Sequence, residues 1–237
     1  MMNLSEETLA TIVTRNHLAA KILEKHNLDF CCKGKRKLWQ ACNEKGVMLE
    51  AVIQELNQAE TNKNAVSIDF GLMNADNLIH YILSNHHSFV KQSMPGILTR
   101  LEKVISKHGK NYPYMISVYE KFSLINEELT SHLFKEEEML FPRLKEFEYL
   151  FTNQINITFP DSFIKDLLTD MEAEHANVGI LLSEIFELTN NYTIPKDACT
   201  TFRGVIEELK YFEQDLHKHI HLENNLLFPR IKNMVFN

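Results

Sequence analysis

One twelve-residue pattern occurs twice in this chain, 87 residues apart. The first copy runs His132-Leu-Phe-Lys-Glu136-Glu-Glu-Met-Leu140-Phe141-Pro142-Arg143, the second His219-Ile-His-Leu-Glu223-Asn-Asn-Leu-Leu227-Phe228-Pro229-Arg230. The His, the Glu four residues on, and the following Leu-Phe-Pro-Arg coincide without a gap. A match this dense marks a repeated structural unit. Residues at i and i+4 share a helix face one turn apart. The repeat therefore predicts two helices, each presenting an imidazole and a carboxylate in the same direction.

That direction is inward. In the first copy Leu129, Leu133 and Leu140 mark the apolar stripe, and His132 and Glu136 fall inside it. In the second the stripe is Phe212, Leu216, Ile220 and Leu227, and it encloses His219 and Glu223. Two further helical patterns each carry a His in core phase. His86 lies among Ile79, Ile82, Leu83 and Val90; His175 lies among Ile164, Leu168, Met171, Val178, Leu182 and Ile185. An ionised carboxylate in a core costs several kcal/mol unless it is paired or binds a metal. Two such carboxylates among four imidazoles fit two metal ions better than one, since a lone zinc takes four ligands. Nitrogen and oxygen donors without thiolate suit iron or manganese, and iron is the choice here. A carboxylate from each half, with an oxo or hydroxo bridge, would join the pair of non-haem irons.

Only seven Gly and six Pro occur in 237 residues, which favours helices over sheet. Four long helices are predicted: about Asn74–His108, interrupted at Pro95-Gly96; Pro113–Phe147; one opened by Pro160-Asp161-Ser162 and reaching Thr189; and one opened by Pro195-Lys196-Asp197 and reaching Met234. The fold class is all-α: an antiparallel four-helix bundle over residues 74–237, preceded by a small all-helical module over 1–58. Residues 59–73 read as a linker, introduced by the polar stretch Asn57–Asn64. Within the module, short helices are expected around Leu9–Val13, Leu18–Leu23, Leu38–Cys42 and Val47–Leu56, with a turn at Asp29-Phe30-Cys31-Cys32-Lys33-Gly34.

A net charge of -7 with one short basic run, Lys33–Lys37, argues against nucleic acid as a partner. No apolar stretch approaches the length of a membrane span. The start Met1-Met2-Asn3-Leu4-Ser5-Glu6 lacks the features of a signal peptide, so a cytoplasmic protein is expected. Four Cys are too few for a disulfide framework in a chain this long.

At these residues the chain resembles the iron–sulfur cluster repair di-iron proteins (the RIC family), whose C-terminal domain is hemerythrin-like. The resemblance rests on Asp29–Gly34, on Ser131-His132 with Lys135-Glu136-Glu137, on Glu172-Ala-Glu174-His175, on Ala198-Cys199-Thr200-Thr201, and on His219 through Arg230. It implies iron ligands at His86, His132, Glu136, His175, His219 and Glu223. It also implies repair of clusters damaged by oxidative or nitrosative stress, with iron delivered to damaged or apo iron–sulfur proteins rather than enzymatic turnover. Oxygen-carrying hemerythrins use five His, and this chain offers four in phase, which favours a more labile iron. Two competing readings are a di-iron nitric oxide or nitrite reductase, and an oxygen or nitric oxide binding or sensing protein.

Several side chains keep two readings. Glu128 and Glu174 either hold a ligand ring and line the metal access, or are exposed solubilising carboxylates. Cys31 and Cys32 precede basic residues that would lower a thiol pKa, giving a redox pair or transient iron contact; otherwise they are two reduced thiols. His87 falls off the apolar stripe and is set aside in favour of His86. Cys42, Cys199 and Trp39 are expected to pack. The small module could also pair two copies of the chain into a homodimer.

Overall fold

The computed structural model describes residues 3–61, 68–155 and 161–236. In chain order its α-helices are α1 (Leu9–Arg15), α2 (Ala19–Lys25), α3 (Leu38–Lys45), α4 (Leu49–Thr61), α5 (Ala75–Tyr81), α6 (Ser88–His108), α7 (Tyr114–Lys135), α8 (Phe141–Thr152), α9 (Asp161–Leu188), α10 (Thr200–Leu222) and α11 (Phe228–Phe236). Among the described residues there is no β-strand, and the all-α expectation holds. None of the described helices is long and apolar enough to cross a membrane. Two compact units divide the chain: residues 80–216, and residues 1–79 together with 217–237. The end of the fourth long helix thus groups with the N-terminal module, a division that sequence periodicity does not signal.

The first unit is built around short helices. Thr8 caps α1 by accepting from the Thr11 amide, and Gly46 ends α3 at φ 65°, a left-handed turn that suits glycine. The Leu9 amide donates to the Arg36 carbonyl and the Leu38 amide to the Glu7 carbonyl, stitching the segment that enters α1 to the one that enters α3. Leu9, Leu23, Phe30, Leu38 and Val52 are fully buried. Trp39 is an exception to the expected packing, at 40 % exposure. Across the expected linker, α4 continues to Thr61, residues 62–67 lie outside the described residues, and Phe70–Leu72 forms a 3-10 turn.

In the second unit α7 packs against α6 and most extensively against α9. Arg100 pairs with Glu208 across α6 and α10, and Lys121 with Glu184 across α7 and α9. Phe122 and Phe212 meet edge-on at 5.2 Å in the core. Two boundaries differ from expectation. Pro95 does not interrupt α6; it sits on the exposed face, where water can satisfy the carbonyl its ring leaves unbonded. Residues 195–199 do not open α10, which begins at Thr200; instead Arg203 donates to the carbonyls of Lys196 and Ala198, and the Tyr112 hydroxyl holds Asp197. Pro160 lies outside the described residues.

Candidate metal centre

Among the described residues three π-helical turns interrupt the long helices: Ile82–His87, Glu136–Leu140 and Glu223–Leu227. Such turns are rare and concentrate at functional sites. Two of them share a visible cause. Pro142 and Pro229 supply no amide to the carbonyl four residues back, and their rings crowd it. The Phe141 and Phe228 amides instead reach back five residues, to the carbonyls of Glu136 and Glu223. The widened turn therefore starts at the repeated glutamate in both copies, and each helix restarts with its proline in the first turn.

In the second unit His132, Glu136 and His175 come together, with one ligand atom of each lying within 4.8 Å of the others. Glu136 is fully buried, and both rings are 2 % exposed. The Nε2 atoms of His132 and His175 are 3.0 Å apart, and His132 Nε2 is 3.3 Å from Glu136 Oε2. His87 meets the same Glu136 carboxylate. It is 1 % exposed, with Nε2 3.4 Å from Glu136 Oε2. His86, the expected ligand, is also buried, but its Nδ1 lies 3.1 Å from both carboxylate oxygens of Asp215. The reason is the first π turn. Residues there rotate less per step than in an α-helix, so two successive rings are buried where α-periodicity allows one.

The outer faces of these rings follow one plan. His132 Nδ1 donates to Glu174 at 2.8 Å, and Lys135 holds the same carboxylate. His87 Nδ1 donates to Glu137 at 2.8 Å, and Lys91 holds that one. Hydrogen bonding to His132 drives the Glu174 carboxyl down to about 2, with Lys135 adding to the effect, so it stays an acceptor. An Nδ1 committed as donor leaves Nε2 with its lone pair. Two such lone pairs and the Glu136 carboxylate converge, an arrangement that repels itself unless a cation lies between. The carboxylate behind the imidazole is also the usual support of a metal-bound His. The donor set fits a metal of the nitrogen–oxygen class. Glu128, the other candidate for such support, is exposed.

In the first unit His219 and Glu223 are both fully buried, with Nε2 3.0 Å from Oε1. The π turn that begins at Glu223 also carries Asn225. Its side-chain amide donates to the carbonyls of Phe30 and Cys31 at 3.2 and 3.1 Å and also contacts His221 Nδ1. His221 Nε2 lies 3.5 Å from the Thr14 hydroxyl, and the Phe30 ring stands edge-on to the imidazole at 5.6 Å. Burial presses the His221 ring down to about 4, so it stays neutral.

Cys31 contradicts the expectation of an activated thiol. It is 4 % exposed and its pKa is raised well above the ordinary thiol value. The largest cause is its hydrogen bond to Cys32, followed by burial and the nearby Asp29 carboxylate. The basic residues that follow do not outweigh these, and Arg36 and Lys37 pair instead with Glu44 and Glu6. Cys42 is buried as expected, while Cys199 is half-buried against His108 Nε2 at 3.2 Å.

Residues 77–231 match the hemerythrin family, described as the HHE cation-binding domain, and residues 5–60 match ScdA_N, described as a domain of unknown function (DUF542). The chain is 34% identical to the iron-sulfur cluster repair protein YtfE of Yersinia pestis (strain Pestoides F), over 97% of this chain and 98% of that one. The chain belongs to the YtfE family. The YtfE of Yersinia pseudotuberculosis serotype O:3 (strain YPIII) matches with the same identity and coverage. The cation-binding domain contains every expected metal ligand and His87; the ScdA_N region contains Cys31 and Cys32. What sequence reasoning set aside at this site is His87. Its one signal was adjacency to His86, because no proline or glycine marks the π turn that brings it inward.

Proposed function

We propose that the two buried sets serve one di-iron centre, held by His87, His132, Glu136, His175, His219 and Glu223, with His87 in the place that α-periodicity gives to His86. The observation that carries this is the convergence of imidazole lone pairs on the fully buried Glu136, backed by carboxylate–lysine pairs. The second copy of the repeat supplies the equivalent buried His219 and Glu223 within the same cation-binding domain. When bound, the two irons, bridged by oxo or hydroxo, supply Lewis acidity and one-electron redox chemistry.

The YtfE relatives are named for iron-sulfur cluster repair; the working role proposed for this chain is repair of clusters damaged by oxidative or nitrosative stress, in the cytoplasm, with iron given up to the damaged protein. Glu136 and Glu223 supply the negative charge that makes a site for a multivalent cation. Glu137 and Glu174 fix the His87 and His132 rings and their tautomers. Four imidazoles, one fewer than in oxygen carriers, favour release.

Metal analysis and an absorption spectrum of the purified protein come first, and two irons per chain with an oxo-bridged ferric band are expected. Incubation with an apo iron–sulfur protein and sulfide then tests transfer. Rebuilding of the cluster at the expense of the bundle's iron is expected. Iron that resists both chelator and apo-protein would end the donor reading.

A further inference from the structure

Away from the bundle's ligands, the loop between α2 and α3 assembles a second group of metal-binding type. Asp29, Cys31 and Cys32 bring one carboxylate oxygen and two sulfurs within 4.8 Å of one another. The two Sγ atoms are 3.7 Å apart, and Cys31 Sγ is 3.3 Å from Asp29 Oδ1. A disulfide would need about 2.05 Å between the sulfurs. A tetrahedral cation with metal–sulfur bonds of about 2.3 Å and a metal–oxygen bond of about 2.0 Å sets two sulfurs about 3.8 Å apart and sulfur and oxygen about 3.5 Å apart. The sulfur–sulfur spacing matches the chelate and not the disulfide, and the Asp29 carboxylate stands beside both thiols.

The loop is held in this form without help from a metal. Asp29 Oδ1 accepts from the amides of Cys31, Cys32 and Lys33 at 3.1, 2.9 and 3.3 Å, which turns the chain so that adjacent cysteines point the same way. Asn225 grips the carbonyls of Phe30 and Cys31 from behind. The Gly34 carbonyl accepts from the Ala10 amide, and a Cβ at Gly34 would lie 2.3 Å from the Phe30 carbonyl oxygen, so glycine alone fits there. Cys31 faces inward, while Cys32 is half-buried and gives access from solvent. A preorganised set loses little freedom on binding.

We propose that Asp29, Cys31 and Cys32 form a binding site for one thiophilic divalent cation of the size and softness of Zn²⁺ or Fe²⁺, with the fourth position open. On binding, each thiol gives its proton to solvent. Two thiolates and the existing carboxylate then share the cation, and no electron is transferred. Carboxylate plus two thiolates suits borderline cations and disfavours Mg²⁺ or Ca²⁺. The site is independent of the di-iron reading, since none of its three donors belongs to the bundle's set.

The test uses the full chain, reduced, anaerobic and with the bundle first loaded with iron. It is titrated with Co²⁺, whose thiolate charge-transfer absorption reports sulfur ligation. One equivalent should bind with that absorption and slow the alkylation of Cys32. Cys32→Ser at the half-buried position should abolish the band while leaving the bundle's iron content unchanged, which shows that the chain still folds. Asp29→Asn should weaken binding by about tenfold or more. A titration with no thiolate band overturns the site. So does a band that survives in the Cys31→Ser, Cys32→Ser double variant, because the sulfur would then come from elsewhere.

Discussion

The two copies of the repeat share their chemistry and differ in what surrounds it. Both bury a His and a Glu, and both open a π turn at that Glu because a proline follows six residues on. Between the shared positions the copies part. Phe134 is 63 % exposed in the first, and its counterpart His221 is 3 % exposed in the second. Glu138 faces solvent, whereas its counterpart Asn225 fastens the Cys-Cys loop. Even the shared Arg is used differently: Arg143 donates to the exposed Glu146, whereas Arg230 donates to the carbonyls of Met73 and Gly71. One copy turns the residues between its ligands to water; the other uses the same frame to grip the module. The buried His and Glu common to both are the ligands proposed for the metal, and other positions are free to take structural work.

If the shared positions are the chemical ones, Glu136→Ala or Glu223→Ala should each cut bound iron from two per chain to one or none. Iron analysis reads this directly, and unchanged stoichiometry in either variant would break the equivalence of the copies. The assignment on the first long helix is sharpened by a pair. His87→Ala should lose iron as severely as His132→Ala, and His86→Ala should retain it; the opposite order would restore α-periodicity as the guide. Removing the carboxylate behind His132 should act more gently. Glu174→Gln is expected to lower iron affinity by about 10–100-fold, measured by chelator competition, with Glu128→Gln unchanged. The structural half of the comparison predicts the smallest effect. Asn225→Ala should destabilise the protein by about 1–3 kcal/mol in denaturant melts, because two buried carbonyls lose their donor, while Glu138→Ala stays within about 0.5 kcal/mol.

Much of this was legible in the sequence. The repeat located His132, Glu136, His219 and Glu223, and core phase located His175, because α-helical periodicity is regular across those segments. All of these side chains are buried in the structure. At His86 and His87 the same regularity places only one ring inward, whereas a π turn without proline or glycine buries both. Local charge misled at Cys31: the basic run lies nearby in sequence, but burial, Cys32 and the Asp29 carboxylate dominate in space. The partners of Glu137, Glu174 and Asn225 lie 50, 42 and 195 residues away and leave no local signal.

Asn225 stands two residues beyond Glu223 on one widened turn. A helix turn that has already given up its regular bonding is easier to reshape than one that has not. The backbone of Phe30 and Cys31 is therefore joined, through a single side-chain amide, to the stretch that positions a carboxylate at the far end of the chain. The thirtieth residue and the two-hundred-and-twenty-third are mechanical neighbours.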